Sequence, residues 1–146
     1  KARALFGSDS IVLIHDGVRP LIDEETISKN INCVKAHGTA ITVTPAIETI
    51  TVKTETGEIG QIIERSRVEM ARAPQSFYLK DILEVHRKAE KYRLTFIDSA
   101  SMMQHFGQPL FPVEGSPENI KITTPNDFYT FRALVDAREN SQIFGI

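Results

Sequence analysis

Three segments between residues 11 and 45 constrain the fold more than anything else in the chain. Ile11-Val12-Leu13-Ile14 is a short unbroken apolar run, the pattern of a strand covered on both faces. "PLIDEETISKNINCVKAHG" follows, in which Asp23 can cap a helix whose first turn carries Glu24 and Glu25, both favoured at the positive end of the helix dipole. Ile27, Ile31 and Val34 share one face of that helix, and Gly38 supplies its stop. "AITVTP" is a second strand, ended by Pro45. Strand, helix and strand within about 35 residues form a βαβ unit, which predicts a right-handed crossover and a parallel sheet.

The next stretch breaks that rhythm. In "ETITVKTETGEIGQIIER" two alternating segments flank the turn "KTETGE", which predicts a β-hairpin arm with strands at Glu48–Lys53 and Ile59–Glu64, spanning about residues 47–65. A two-stranded hairpin is marginal in water by itself, so this arm is expected to pack on something, such as a second subunit. Beyond it, Leu79, Ile82, Leu83 and His86 line one face of a helix. "DSASMMQHFG" reads as a short helix capped by Asp98 and closed by Gly107. "PLFPVEG" and "NIKIT" read as short strands. A last helix starts with a Thr124 cap, Pro125 in its first turn and Asp127 closing a capping box. Its Phe and Tyr residues, and the Met102-Met103 pair, are expected in the core. Cys33, beside an apolar stripe, is expected to serve packing.

The chain's 146 residues suit one domain that buries roughly 70% of its unfolded surface. A net charge of −2 with no basic cluster argues against a nucleic-acid partner. The single cysteine excludes an intrachain disulfide and a cysteine zinc site, and fits a reducing, cytoplasmic setting. No apolar run approaches the ~18 residues of a membrane span.

Few residues are candidates for chemistry. Asp16 and Arg19 follow directly on the first strand, and ligands of open α/β sheets bind outside the carboxyl ends of strands. A structural ion pair explains them equally well. His15-Asp16 as a metal dyad is weak, because His37, His86 and His105 lack ligand spacing. Thr49 and Arg65 stand at opposite ends of the arm, where antiparallel pairing brings them together as a hydroxyl and a guanidinium able to grip phosphate. Arg67 and Arg72, nearby, read as solvated bystanders. Lys121 alternates with Ile120 and Ile122, and alone reads as a snorkelling edge lysine. Asp98 alone reads as an N-cap. No Ser-His-Asp set, glycosidase-like carboxylate pair or metal cluster is apparent. The cations, a threonine and an acid suit chemistry on phosphate, where positioning and charge neutralisation matter more than a protein nucleophile.

Taken together, "HDGVRP", "IET", "IIER…APQSF", "IDSAS" and "VEGSPENIKITTPNDF" resemble, in order and spacing, the 2-C-methyl-D-erythritol 4-phosphate cytidylyltransferase family, which includes ribitol-5-phosphate cytidylyltransferases. The resemblance runs from about Ser8 to Asn140. It implies a three-layer, Rossmann-like α/β fold with a mostly parallel sheet, and a homodimer through exchanged β-arms. It also implies transfer of CMP from CTP, accompanied by Mg2+ or another divalent cation, to a polyol phosphate. By the same resemblance, Asp16 and Arg19 contact the sugar-alcohol end of the substrate or a nearby ribose. Thr49 and Arg65 reach across the dimer to the acceptor phosphate, Lys121 holds that phosphate for attack, and Asp98 belongs to the substrate-binding set. Arg65 and Lys121 are the catalytic pair.

Two departures bear on the acceptor. Ala73-Pro74-Gln75 stands where methylerythritol enzymes commonly read Thr-Pro-Gln, and Ile97-Asp98-Ser99-Ala100-Ser101 where they read Thr-Asp-Glu-Ala-Ser. Losing two hydroxyls and a carboxylate favours another acceptor, such as ribitol 5-phosphate. Family members also begin with a glycine-rich loop bearing an Arg and a Lys that wraps the triphosphate. This chain lacks one, so it is expected to be a C-terminal portion with little turnover by itself. The alternatives are transfer to another sugar phosphate used in surface polymers, or a non-catalytic dimerising or ligand-binding relative.

Overall fold

The computed structural model describes residues 6–144. Its elements, in chain order, are β1 (Ile11–Ile14), α1 (Glu24–His37), β2 (Thr39–Pro45), β3 (Ile50–Lys53) and β4 (Ile59–Ile63), then a 3-10 turn at Arg65–Arg67. After the turn come β5 (Glu69–Tyr78), α2 (Leu79–Tyr92), α3 (Ser99–His105), β6 (Pro112–Glu114) and α4 (Pro125–Phe144). The fold is α/β with a mixed sheet. Its strand order is β1-β5-β2-β6, and β3 and β4 form a separate two-stranded hairpin.

The sheet is therefore not the mostly parallel one expected. β1 and β2 do run the same way, but β5 lies between them and pairs antiparallel with both. Among the described residues only β2 and β6 pair in parallel. The strand β5 escapes a sequence reading because "EMARAPQSFY" holds an arginine, a proline and small residues, so neither a period-two pattern nor a continuous apolar run marks it. Its second half is nonetheless buried.

Alternation along β2 feeds both faces of the sheet. Ile41 and Val43, with Phe77 of β5, meet Ile82, Val85 and Ala89 of α2 and Ala100, Met102 and Met103 of α3 in the main core. Ala40 on the other face packs with Val34 of α1 and Val113 of β6. The α1 caps form as the sequence requires. Asp23 accepts the Thr26 amide at 2.6 Å, and Gly38 closes the helix at φ +89°, a conformation that favours glycine.

The buried side of α1 differs from expectation. Thr26, Asn30 and Val34 are buried, while Ile27 is exposed and Ile31 half-buried. The reason is a polar seam. Asn30, fully buried, donates to Thr42 Oγ1 at 3.0 Å and accepts from Ser76 Oγ at 2.9 Å, while Thr42 donates to the Pro74 carbonyl at 2.7 Å. On α2 the buried stripe is Leu79, Ile82, Val85 and Ala89, so His86 does not belong to it. The capping box of α4 forms, with Thr124 N–H and Asp127 Oδ2 at 2.7 Å. Yet Phe128 and Tyr129 are exposed rather than in the core. Caps establish a helix locally and leave open which side is covered. "NIKIT" is no strand, although Ile122 donates one backbone bond to Val18 at 2.9 Å.

Replacing Asn30 with Ala strands the Ser76 hydroxyl and one side of Thr42 in a dry seam. The expected loss is about 1–3 kcal/mol, read as a lower urea midpoint at unchanged m-value. An unshifted midpoint contradicts the seam's role.

Candidate functional site

Pairing places the amino-terminal half of β5 beyond the carboxyl end of β1, since Ile14 sits opposite Gln75. A cleft of about 330 Å³ opens there, lined by Ile14, Asp16, Arg19, Ala71, Arg72, Ala73, Gln75, Ile97, Asp98, Ser99 and Lys121. Four of the six residues expected in a site, Asp16, Arg19, Asp98 and Lys121, thus meet in one place.

The turn after β1 is closed by the Arg19 amide donating to the Asp16 carbonyl. Arg19 Nε donates to Asp16 Oδ2 at 2.9 Å, and Lys121 Nζ lies 3.5 Å from the same oxygen. Arg19 is buried, whereas Asp16 is 39% exposed and faces the cleft. Partial burial raises the Asp16 pKa, but the Arg19 hydrogen bond and the Lys121 and Arg19 charges outweigh it, leaving the carboxyl below its ordinary value. His15 turns away, with its ring nitrogen 2.9 Å from the Arg19 carbonyl, and it lines a separate apolar hollow with Leu13, Ile22, Ile27 and Pro74. The two side chains of a His-Asp dyad therefore do not converge.

Asn119 joins this turn to β5. Its fully buried side chain donates to the Ala73 carbonyl at 2.7 Å, and its own carbonyl accepts from Arg19 at 2.8 Å and Arg72 at 3.2 Å. Gly115 lets this loop cross β2 closely, because a Cβ there would sit 2.5 Å from the Thr42 methyl. On the opposite wall, Asp98 caps α3 through the Ser101 amide at 2.8 Å and accepts from Gln75 at 2.8 Å. Burial raises its pKa, and the bonds from Ser101 and Gln75 more than offset that, so Asp98 too sits below its ordinary range. Gln75 also accepts from the Ala100 amide, locking α3 to β5.

A family model described as IspD, 2-C-methyl-D-erythritol 4-phosphate cytidylyltransferase, matches residues 2–137. The chain belongs to that family. It is 51% identical to the ribitol-5-phosphate cytidylyltransferase of Streptococcus agalactiae serotype III over 146 residues, 99% of this chain and 61% of that protein. It is 37% identical to the 2-C-methyl-D-erythritol 4-phosphate cytidylyltransferase of Syntrophus aciditrophicus over 131 residues, 90% of this chain and 56% of that one. Among solved structures, the 4-diphosphocytidyl-2C-methyl-D-erythritol synthase of Anaerococcus prevotii superposes with a TM-score of 0.84 at 29% identity, covering 92% of this chain and 62% of that one. The chain thus spans about three fifths of the length of the curated relatives it matches.

Within this family member, Thr49 and Arg65 stand apart from the cleft. Thr49 lies just before β3 rather than on a strand, and Arg65 opens the 3-10 turn and donates to the Ile47 carbonyl at 3.2 Å. Both are exposed at the base of the arm. Sequence reasoning missed Arg72, Gln75 and Asn119. Arg72 reaches the cleft because the β2–β5 register jumps from Ile41↔Gln75 to Val43↔Ala71, so residues 72–74 bulge opposite Thr42 alone. Pro74 carries no amide for the ladder, and that was the available signal. Among the described residues no three His, Cys, Asp or Glu side chains gather as metal ligands, and no helix is long and apolar enough to cross a membrane.

A carbon-detected carboxyl titration should place Asp16 below the ordinary carboxylate pKa of about 3.9. Lys121→Ala should move it upward. Because the folded value is depressed, the stabilisation from this pairing is fully present above the unfolded-state value and fades as pH falls through the folded one. An Asp16 titration unmoved by Lys121→Ala rules out the ammonium's part in that shift.

Proposed function

We propose that this chain carries the acceptor-binding part of a cytidylyltransferase that moves CMP from CTP to a polyol phosphate, releasing a CDP-polyol and pyrophosphate. The observation that carries the reading is the cleft at the end of β1, where Arg19 and Lys121 converge on one carboxylate and remain able to meet further negative charge. A phosphate monoester is already ionised near neutral pH and needs no general base as nucleophile. Its oxygen attacks the α-phosphorus of CTP, the bond from that phosphorus to the oxygen bridging to the β-phosphate breaks, and pyrophosphate leaves. Lys121 neutralises the attacking phosphate. Asp16 and Arg19 hold the polyol end or a ribose, with Asp98 on the facing wall. The divalent cation would arrive on the triphosphate as part of the substrate.

Ribitol 5-phosphate is the favoured acceptor. Identity is higher to ribitol-5-phosphate enzymes than to the methylerythritol enzymes compared. Ala73, Ile97 and Ser99, the positions that depart from the methylerythritol pattern, all line the cleft. Ile97, at 93% exposed, offers an apolar surface there.

The arm reads as the dimer contact. Its strands pair with each other and with no other described strand, and Ile47, Val52, Ile59 and Ile62 are exposed along it. In a dimer of this kind each arm carries Thr49 and Arg65 to the partner's cleft, where Arg65 supplies the second cation for the acceptor phosphate.

A pyrophosphate-release assay on the full-length gene product, with CTP and a panel of polyol phosphates, tests the transfer. Ribitol 5-phosphate should exceed 2-C-methyl-D-erythritol 4-phosphate in kcat/KM by about ten-fold or more. Lys121→Ala and Arg65→Ala should each lower it by about 100-fold with melting unchanged. Failure of every acceptor on the panel to release pyrophosphate sinks the reading, and wild-type turnover in either variant removes that residue from the phosphate grip. Deleting Thr49–Arg65 should convert dimers to monomers by light scattering. Persisting dimers mean the contact lies elsewhere.

A further inference from the structure

Arg72 is the one cleft cation that no expectation assigned a task. It is half-buried, its Nε donates to Thr44 Oγ1 at 2.8 Å, and one terminal nitrogen donates to the Asn119 carbonyl at 3.2 Å. Those contacts use two of the five N–H groups of a guanidinium and need no positive charge, since both acceptors are neutral. Among the described residues no carboxylate lies within ion-pair distance of Arg72. Its neighbour at the Asn119 carbonyl is another cation. Arg19 donates to the same Asn119 carbonyl, so two guanidinium groups converge on one oxygen.

That arrangement is costly without an anion. Burial lowers the Arg72 pKa, and the Arg19 charge lowers it further. Arg19 has Asp16 as its counter-ion, shared with Lys121, and Asp98 is held by Ser101 and Gln75, so of the two guanidinium groups only Arg72 has no paired carboxylate among the described residues. A half-buried cation that lines a cleft with no carboxylate paired to it is a place where a ligand can bring the counter-charge. The planar fork suits the tetrahedral oxygens of a phosphate, with which it makes paired, charge-assisted bonds. The bulge at residues 72–74 aims this fork into the cleft instead of leaving it on the sheet face.

We propose that Arg72 is a specificity-determining residue of the cleft: with Lys121 on the same cleft it forms an anion pocket that takes the phosphate of a phosphate-monoester acceptor. The inference rests on the transfer reading for the identity of that acceptor, but the pocket itself rests on the geometry alone. The triphosphate of the nucleotide is the other source of such a group on the same substrate pair. Arg72 shares the Asn119 anchor with the loop carrying Lys121, which places it on the acceptor side.

The test uses the full-length protein. Arg72→Leu should raise KM for the polyol phosphate about ten- to a hundred-fold, with KM for CTP within about two-fold and the melting temperature retained. Arg72→Lys, which keeps the charge and loses the fork, should recover part of that loss. An unchanged acceptor KM in a folded Arg72→Leu protein overturns the proposal, and so does a rise confined to CTP, which assigns Arg72 to the nucleotide. An activity-free measurement guards against a variant that fails to fold. In wild-type protein labelled at arginine, the Arg72 Nε–Hε resonance should shift as inorganic phosphate is titrated in, and no shift at saturation overturns the pocket. If phosphate shifts Arg72 while no polyol phosphate is turned over, the transfer reading fails and the pocket stands. Turnover with no Arg72 shift and an unchanged acceptor KM keeps the transfer reading and removes the pocket.

Discussion

Five consecutive residues of β5 hold this molecule together. Arg72 ties to Thr44 and to the Asn119 loop, and the Ala73 carbonyl accepts from the Asn119 side chain. The Pro74 carbonyl accepts from Thr42, Gln75 grips Asp98 and the Ala100 amide, and Ser76 donates to Asn30. One short stretch thereby anchors β2, the Lys121 loop, α3 and α1. Buried polar groups need partners, and most of these find them on a strand inserted antiparallel between two parallel ones, the Asn119 Oδ1 atom being an exception. Hydrophobic packing on either face supplies the driving force, while this seam sets register, because a slip by one residue would leave several of these groups unpaired.

The site inherits its form from that strand. A regular ladder through residues 72–74 would have kept Arg72 over the sheet and the Ala73 carbonyl bonded within it. The bulge frees both, and Asn119 uses the freed carbonyl to dock the loop that carries Lys121. Two cleft carboxylates then take different tasks from similar starting points. Asp98 is locked by donors of its own helix and β5, so it serves chiefly to hold the wall. Asp16 is bound by cations, is more exposed, and so keeps a face toward any ligand. Two cations, Arg19 and Lys121, share that one carboxylate oxygen.

Parts of this were legible in advance because they depend on neighbours in sequence. The Asp23, Asp98 and Thr124 caps, the Gly38 stop and the hairpin arm all form as the sequence requires, since a cap or a turn needs only a few adjacent residues. The location of Asp16 and Arg19 at a strand end followed for the same reason. Prediction failed where burial decides. Thr26 and Asn30, not Ile27, are buried, because the Asn30 partners Thr42 and Ser76 are distant in sequence. Phe128 and Tyr129 stay exposed because a well-capped helix needs no core to form.

What the amino-acid order determined by itself is therefore the set of local elements, the arm and the motif series that places the chain in its family. Tertiary structure alone decided the sheet order, the union of Asp16 with Lys121, and the recruitment of Arg72. The physical reason is range. Caps and turns are satisfied within about one helical turn of chain, whereas residues 16, 72, 98, 119 and 121 come together only after β5 has been threaded between β1 and β2 and its ladder broken opposite Thr42.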